Sequence, residues 1–482
     1  MNDERNDSGH AHAEPTAAAA NPAYRAEAQR LFLKEILPRW TAADNVWRSA
    51  CALDSILDYF LVSGADSAPY GDDALAALDP TKLGNWWDDF GWIGIAALRA
   101  AELGFAAAHR TDFLKIAINA WSYMHGPGWS LSPHQRAIYP FTDVPGWAQF
   151  AREHTSNSGA PNVWDRIDQT WPNPPPATKA QLRPRYSPGG VWNAPISAGS
   201  APTPVPAYSA SADYLSPVQN TVTNGVYTVL GLRLYLATQN PNFASVFRDA
   251  GFNAQACLQA WQNQIQWYGQ WMLGPQPADQ SLLLKPSAPT GGLLVRERVS
   301  TFHPVGTQLY WDAAYRKPLS WMGDQGLLIG ALREAQGMHL VPKPAVVDLY
   351  PNLIHGAFAN AFRPRTYGQV NGSFPLPWLD LDVPNPFWAS SPGNDDGDYQ
   401  TGVGVLMRYL LQAYRADASL LTPYRSMILG TANALVQPGF GVPPPSQSGS
   451  CDAFTPAGGS NADLMTAYVN RLSVLTLAIA MG

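Results

Sequence analysis

Apolar residues recur every three to four positions along most of the 482-residue chain. In the first segment with this spacing they stand at Tyr24, Ala28, Leu31, Phe32 and Ile36. A period close to 3.6 residues predicts amphipathic helices, because it gathers the apolar side chains on one face. The predicted helices cover residues 21–40, 45–62, 91–103, 112–124, 222–237, 243–272, 326–335, 345–362, 402–413, 423–436 and 461–481. We therefore predict an all-α protein.

The predicted helices are of two kinds. Residues 226–232, 403–411 and 469–480 are apolar almost all round, whereas partners such as the helix at 243–271 carry more polar residues. A helix that is apolar on every side has to be buried on every side. The alternation of fully buried and half-exposed helices therefore predicts an inner ring of helices wrapped by an outer ring, built from helical hairpins.

Two further patterns bear on the organisation of the chain. The segment Gly91–Arg99 is similar to Gly326–Arg333, and each opens a predicted helix, which agrees with repeated helical hairpins. Long loops rich in Pro, Gly and aromatic residues interrupt the helices, and loops of this kind often build binding sites. They cover residues 130–217, 275–315 (with a β-like run at 293–295) and 368–397. No linker separates two regimes of composition, so we predict a disordered tail at residues 1–20 and a single domain at 21–482.

Charge and composition exclude several classes of function. The net charge is -6, and no run of Lys or Arg provides the basic surface that nucleic-acid binding requires. No segment reaches the roughly 18 uninterrupted apolar residues of a membrane span, and the apolar end of the chain at 472–482 is predicted to be a buried core helix. We expect neither nucleic acid nor a membrane among the partners.

Cysteine and histidine usage gives no sign of a metal site. Cys51, Cys257 and Cys451 are odd in number and far apart, so they form neither a disulfide framework nor a metal-site spacing.

The first 20 residues lack the continuous apolar core of a signal peptide. The sequence as written therefore predicts a cytoplasmic protein, or a secreted or periplasmic one if the chain is a processed form.

A pair of adjacent carboxylates is the most informative feature. Asp88 and Asp89 lie in the segment Asn85–Trp92, where three tryptophans and a phenylalanine surround them. In a confined, poorly solvated site, repulsion and burial raise the proton affinity of one such carboxylate. One ionised and one protonated carboxyl group are what acid/base cleavage of a glycoside needs. Aromatic faces also pack well against the C–H faces of sugar rings.

A purely structural interpretation of the pair is also open. Asp is favoured in the first turn of a helix, where it caps N–H groups and meets the positive end of the helix dipole. Asp88 and Asp89 stand where a helix is predicted to begin. Neighbouring residues on a helix also point about 100° apart. Both carboxylates reach one substrate only if the pair lies at a helix end that faces a cavity.

The segment Trp86-Trp87-Asp88-Asp89-Phe90-Gly91-Trp92 resembles the aromatic-Asp-Asp-x-Gly-Trp signature of glycoside hydrolase family 76, the bacterial and fungal endo-α-1,6-mannanases. Further segments resemble motifs of this family in the same order along the chain: Gly189–Asn193, Asn220–Gly225, Leu232–Tyr235, Trp321–Gly326 and Gly404–Leu410. The resemblance implies an (α/α)6 barrel with long loops on the active-site face. It also implies a retaining mechanism with Asp88 as nucleophile and Asp89 as general acid/base. Adjacency favours retention as well, since inverting enzymes separate their carboxylates by roughly 6.5–9.5 Å.

The same resemblance supplies candidate substrate-binding residues, each with a structural alternative. They are Trp87, Trp92, Trp192, Asn220, Asn224, Trp321, Asp324 and Gln325. The two asparagines are equally suited to capping a helix, and an isolated tryptophan is often a core residue. Asp324 and Val403 depart from the family pattern, which has Asn and Lys there, and this puts the mannan backbone as substrate in doubt more than the chemistry.

The predicted function is therefore a glycosidase acting on α-mannosidic, and first of all α-1,6, linkages of an oligo- or polysaccharide. The resemblance implies no metal and no organic cofactor, and we expect a monomer. Two alternatives remain open, a sugar epimerase on the same barrel and a glycan-binding protein without catalysis. Such epimerases use His as acid/base, and the sequence offers no clear cleft histidine.

Overall fold

The computed structural model describes residues 22–40, 42–43, 45–83, 86–129, 137–138, 185–186, 189–191, 220–274, 281–284, 291–297, 302–305, 308–311, 320–338, 343–365, 374–377, 396–437, 440, 454 and 459–482. Its α-helices are α1 (Pro22–Arg30), α2 (Leu37–Trp40), α3 (Val46–Ser63), α4 (Gly71–Ala77), α5 (Trp87–Leu103), α6 (Arg110–Trp129), α7 (Thr221–Ala237), α8 (Ala244–Asp249), α9 (Ala254–Leu273), α10 (Met322–Gln336), α11 (Tyr350–Ala361), α12 (Asp396–Ala416), α13 (Arg425–Leu435) and α14 (Asn461–Met481). A π-helical segment, Leu31–Ile36, joins α1 to α2.

Short elements connect these helices. Turns of 3-10 helix cover Ala68–Tyr70, Pro80–Lys82, Ala107–His109, Pro241–Phe243, Ala345–Leu349, Ala418–Leu420 and Thr422–Tyr424. The strands form antiparallel pairs: β1 (Ala137–Ile138) with β2 (Arg185–Tyr186), β3 (Leu283–Leu284) with β4 (Leu294–Val295), β5 (Phe302–Val305) with β6 (Gln308–Trp311), and β7 (Phe362–Arg365) with β8 (Phe374–Pro377). Strand β4 lies in the β-like run predicted at 293–295.

Six helices close an inner ring within the described part of the chain. Their order around the ring is α3, α5, α7, α10, α12 and α14, each packed on the next, and α14 packs back on α3. The other long helices lie outside this ring. Helix α6 packs on α5, α9 on α7, α11 on α10, and both α1 and α13 on α14. The predicted all-α double ring of helical hairpins is confirmed.

The inner helices run parallel to one another, as their cross-links show. Near the start of α3, Arg48 pairs with Asp463 near the start of α14, at 2.6 Å from Nη1 to Oδ1. Near the end of α7, Arg233 pairs with Glu334 near the end of α10. The N-termini of the inner helices therefore lie on one face of the ring. Since a helix N-terminus carries a partial positive charge, this face favours anionic groups.

Glycines explain the internal similarity that the sequence shows. A Cβ atom added to Gly91 would lie 2.2 Å from Val226, and one added to Gly94 would lie 2.5 Å from Leu230. Both neighbours are on α7, so these two glycines let α5 approach α7 closely. In the similar segment, an added Cβ at Gly330 on α10 would lie 2.1 Å from the ring of Tyr409 on α12. The repeated motif thus brings an inner helix against the next one around the ring.

Three helix boundaries or helices differ from those predicted from the sequence. Helix α5 begins at Trp87 rather than at Gly91, which puts both aspartates in its first turn. The predicted helix at 243–272 is two helices, because the chain turns at Gly251 in the left-handed region (φ 61°). The short helix α4 was not predicted.

Helix α14 has the length and the apolar composition of a membrane span, yet 83% of its most apolar window is buried inside the protein. Its place in the inner ring accounts for this composition, and the buried core helix predicted at 472–482 is part of it. The predicted tail at residues 1–20 and most of the predicted loop at 130–217 lie outside the described residues. The single domain at 21–482 stays a prediction.

Candidate active site

Asp88 lies in the first turn of α5 and joins this helix to α7. Its Oδ1 accepts a hydrogen bond from the backbone N–H of Asp89 at 3.1 Å, and its Oδ2 accepts one from the hydroxyl of Thr223 at 3.1 Å. The side chain of Asn220 lies near Asp88 and acts to lower its pKa. Trp86, the N-cap residue of α5, makes no side-chain cap. Asp88 therefore serves its own helix as the capping interpretation predicts, and it also reaches across the ring to a second helix.

The start of α7 is built around the carboxylate of Asp88. Asn220 is the N-cap residue, and its Oδ1 accepts a hydrogen bond from the backbone N–H of Thr223 at 3.0 Å. The structure thus confirms the capping interpretation of Asn220, and its role in substrate binding stays a prediction. The Asp88 carboxylate lies near the N-termini of both α5 and α7. The positive ends of two helix dipoles therefore favour its negative charge.

Burial dominates the acidity of Asp88. It raises the pKa of this carboxyl group to about 6, and the hydrogen bonds from Thr223, the Asp89 backbone and Asn220 oppose the rise only in part. Among the described residues, no Lys, Arg or His forms an ion pair with Asp88. A carboxylate that is held by neutral donors, with no cation beside it, can interact with a ligand through its negative charge or its proton.

Asp89 is half-buried, and its charge acts on the α3 side of the ring. Burial raises the pKa of the Cys51 thiol on α3 to about 12, and the negative charge of Asp89 contributes in the same direction. Asp88 bonds to α7, on the other side of α5. Asp88 thus bonds to one neighbouring inner helix, and the charge of Asp89 acts on the other. They share the face on which the inner helices begin.

The tryptophans form contacts inside the ring. Trp92 packs against Trp47 with ring centroids 6.4 Å apart and meets Trp321 edge-on at 6.2 Å. The guanidinium of Arg408 lies over Trp92, 5.9 Å from the ring centroid. Trp87, on the first turn of α5, contacts Phe90 at 5.9 Å. Trp87, Trp92 and Trp321 are all buried, so they pack as core residues in this structure. Trp192 lies outside the described residues.

Two predicted substrate-binding amides instead hold loop backbone, and both are fully buried. The Oδ1 of Asn224 accepts the N–H of Val191 at 2.8 Å, and its Nδ2 donates to the Val191 carbonyl at 3.1 Å. Gln325 makes the same pair of hydrogen bonds with the backbone of Val295, at 2.7 Å and 2.8 Å. Each pair of hydrogen bonds fixes a segment that precedes, in the sequence, the inner helix carrying the amide. The structure thus gives Asn224 and Gln325 a positioning role, because their polar atoms face backbone rather than solvent.

Asp324 lies in the first turn of α10. Its side chain is fully buried near the start of α10, and its backbone N–H donates to the Trp321 carbonyl at 3.1 Å. The pKa of Tyr268 on α9 is raised well above its usual range by burial, and the charge of Asp324 adds to this. The charge of Asp324 thus acts on Tyr268 of the outer ring, and its predicted part in substrate binding stays a prediction.

Thr223 contacts Asp88 and is not among the residues predicted from the sequence. It lies inside the Asn220–Gly225 segment that was recognised, but its partner Asp88 is 135 positions away. Only the packing of α5 on α7 joins the two. Arg296 and Glu297 were missed as well. Both are buried, and their backbone carbonyls accept hydrogen bonds from the hydroxyl and the N–H of Thr221 at 2.7 Å.

Comparison of the sequence with protein families and with curated proteins finds no match. Among solved structures, the protein is similar to an inactive α-1,6-mannanase variant of family 76 from Salegentibacter sp. HEL1_6, in complex with α-1,6-mannotetrose (TM-score 0.48, 14% identity, 94% of this chain and 99% of that chain). It is similar to the Lin0763 protein from Listeria innocua (TM-score 0.48, 13% identity, 94% and 95%) and to the family 76 mannosidase Bt3792 from Bacteroides thetaiotaomicron (TM-score 0.47, 10% identity, 94% and 98%). Two of these three carry the name of the family whose motifs the sequence resembles.

Proposed function

We propose that this protein is a glycoside hydrolase that cleaves α-mannosidic linkages, with α-1,6 linkages as the first candidates, by a retaining two-carboxylate mechanism. One observation carries the proposal. Asp88 is a carboxylate beside a second carboxylate, held at two helix N-termini by neutral donors. The choice of mannosides rests on the family that the motifs resemble.

In the proposed first step, one oxygen of the Asp88 carboxylate attacks the anomeric carbon while the bond from that carbon to the leaving oxygen breaks. Asp89 gives its proton to the leaving oxygen. In the second step a water attacks the anomeric carbon, its proton passes to Asp89, and the ester bond to Asp88 breaks. The atoms balance to one water consumed for each linkage cleaved, and no cofactor takes part.

The acidity of Asp88 sets the pH range of this chemistry. A nucleophilic carboxylate has to be ionised, and the pKa of Asp88 is about 6. The proposed mechanism therefore predicts that kcat/KM falls as the pH drops through about 6, since the free enzyme then carries a protonated Asp88. Above that pH Asp88 is ionised and competent.

The test is product analysis with the purified protein on α-1,6-linked mannan and on mannotetraose. We expect released oligosaccharides whose first anomer, followed by NMR, is α. Asp88→Asn should lower turnover by about 10³-fold or more. Asp89→Asn should spare aryl mannosides with good leaving groups, because these need little protonation. Asp249→Asn, at an exposed position of α8, is the matched control and should behave as wild type.

Three outcomes would overturn the proposal. Initial release of the β-anomer would mean inversion and would remove the roles given to both aspartates. An isomerised monosaccharide would indicate an epimerase. Binding of the glycan without turnover by wild type would indicate a glycan-binding protein.

A further inference from the structure

We propose that Thr223 is a positioning residue for the Asp88 carboxylate, fixing its plane and supporting its negative charge through the hydroxyl hydrogen bond from α7. The inference rests on the proposed function, in which Asp88 is the nucleophile. Thr223 lies on a different helix from the two aspartates. In this proposal it touches no substrate and acts only through Asp88.

The geometry holds the carboxylate at both of its oxygens. Oδ1 is bound by the backbone N–H of Asp89, on its own helix, and Oδ2 by the Thr223 hydroxyl, on the neighbouring helix. A carboxylate bound at one oxygen still rotates about its Cβ–Cγ bond, whereas one bound at both is held in one plane. Reactive groups held in an aligned geometry gain rate because little motion has to be frozen at the moment of attack.

Thr223 is itself held rigidly. It is fully buried, and its backbone N–H donates to Oδ1 of the N-cap residue Asn220 at 3.0 Å. The close approach of α5 to α7 at Gly91 fixes the distance between the two helices. As a β-branched residue, Thr has few rotamers, so its hydroxyl has little freedom to leave Asp88.

The hydroxyl also supports the charge that the reaction uses. A hydrogen bond to the ionised form of a carboxyl group favours that form. Among the described residues, the groups that act on Asp88 include the backbone N–H of Asp89 on its own helix and the neutral side chains of Thr223 and Asn220 at the start of α7. The contact with Thr223 therefore favours ionisation of Asp88. Thr223 donates its hydrogen bond throughout the reaction and exchanges no proton.

The chain offers a matched control on the same helix. Thr228 is also a fully buried threonine of α7, but its hydroxyl donates to the backbone carbonyl of Asn224 at 2.6 Å and does not bond to Asp88. A Thr-to-Val change removes the same hydroxyl from the same kind of environment at either position. Any effect on packing alone should therefore appear in both variants.

The experiment compares Thr223→Val, Thr223→Ser and Thr228→Val by the pH profile of kcat/KM on the mannan substrate. We expect Thr223→Val to lose about 10- to 100-fold in kcat with little change in KM. The acid limb should move up by about one pH unit, because the ionised carboxylate loses a hydrogen bond. Thr223→Ser should restore most of the rate and the original limb. Thr228→Val should keep the wild-type profile.

A second measurement separates failure of this inference from failure of the proposed function. The difference in unfolding free energy between a protein and its Asp88→Asn variant, followed against pH, reports the titration of Asp88 without any substrate. In the Thr223→Val background this titration should also move to higher pH. If wild type hydrolyses no glycan but the titration moves, the proposed function fails and the contact stands.

Other results would overturn the role of Thr223. An unchanged acid limb and an unchanged Asp88 titration in Thr223→Val would show that the hydroxyl does not act on Asp88. Equal shifts in Thr223→Val and Thr228→Val would reduce the effect to packing. If Thr223→Val does not fold, Thr223→Ala removes the same hydroxyl and is judged by the same two criteria.

Discussion

Two carboxylates on neighbouring inner helices, Asp54 of α3 and Asp88 of α5, meet opposite environments. Asp54 is fully enclosed and pairs with Arg99 and with Arg408, the latter at 2.8 Å from Nη1 to Oδ2. Burial alone would raise the pKa of Asp54, but the charges of Arg408 and Arg99 hold it below its usual range. Asp88 receives only neutral donors among the described residues, and burial raises its pKa to about 6.

The difference separates a carboxylate neutralised by ion pairs from one that has no cationic partner among the described residues. The centre of the ring holds a set of matched charges, which continues in the Arg233–Glu334 pair and the bond from Arg233 to Gln412 at 2.6 Å. Charges matched in this way neutralise one another and link five inner helices. At the face where the inner helices begin, Asp88 forms no ion pair with the described residues, which is the arrangement that the proposed function uses.

The largest effect is expected from breaking the matched set at Asp54. Asp54→Asn leaves Arg99 and Arg408 buried with less negative charge, and the loss of one partner of a buried pair typically costs about 3–5 kcal/mol. We expect the free energy of unfolding to fall by that amount, as measured by urea denaturation at pH 7. The pKa of Asp54 is lowered in the folded state, so its stabilising contribution is present above pH 4 and is lost as the pH falls below that.

Asp58→Asn is the matched control. Asp58 pairs with Arg99 alone, and burial raises its pKa in spite of that charge. Its replacement should therefore destabilise the protein less than that of Asp54. A larger loss at Asp58, or no loss at Asp54, would show that the ring interior does not depend on matched charge.

A smaller effect of opposite sign is expected at Asp88. Its folded pKa is raised from 3.8 to about 6, so the folded state disfavours the charged form and loses stability as the pH rises through this window. Asp88→Asn removes the penalty and should be more stable than wild type by about 1–3 kcal/mol above pH 6. The gain should vanish near pH 4. Thermal or urea unfolding at pH 4, 5, 6 and 7 measures it, and a gain independent of pH would contradict the assignment.

The smallest effect is expected from an ion pair on the surface. Arg30 is 45% exposed and pairs with Glu27 at 2.8 Å and Glu35 at 2.9 Å. Exposed pairs contribute about 0–1 kcal/mol, because water screens them and long side chains lose freedom. Arg30→Gln should change the unfolding free energy by about 0.5 kcal/mol or less. A loss comparable with that of Asp54→Asn would show that burial is not what separates the two regions.

The sequence predicted the ring because its information is periodic and local. The contrast between the apolar helix at 469–480 and the more polar one at 243–271 gave the inner and outer positions, and the glycine motif at Gly91 marked a close helix contact. The carboxylate pair was found for the same reason, since its residues are adjacent.

The contacts that define the site could not be predicted in the same way. Thr223 and Asp88 lie 135 positions apart in the sequence. Asn224 bonds to the backbone of Val191, and a pattern of side chains does not predict which backbone groups an amide will meet. A side-chain amide suits a sugar hydroxyl and a peptide group equally well, because both offer a donor and an acceptor. Only the packed ring distinguishes the two partners.

Closure of the ring by α14 also bears on how the chain folds. The hydroxyl of Ser473 on α14 donates to that of Ser55 on α3 at 3.0 Å, across 418 positions of sequence. Closing a loop of that length costs on the order of 5 kcal/mol in chain entropy, against about 3 kcal/mol for a hairpin of 20 residues. We therefore expect the hairpins to form early and locally, and the joint between α3 and α14 to form after them. During synthesis the apolar flank of α3 stays uncovered until α14 has been made. We therefore expect the surface between α3 and α14 to be a part of the nascent chain that needs protection from aggregation.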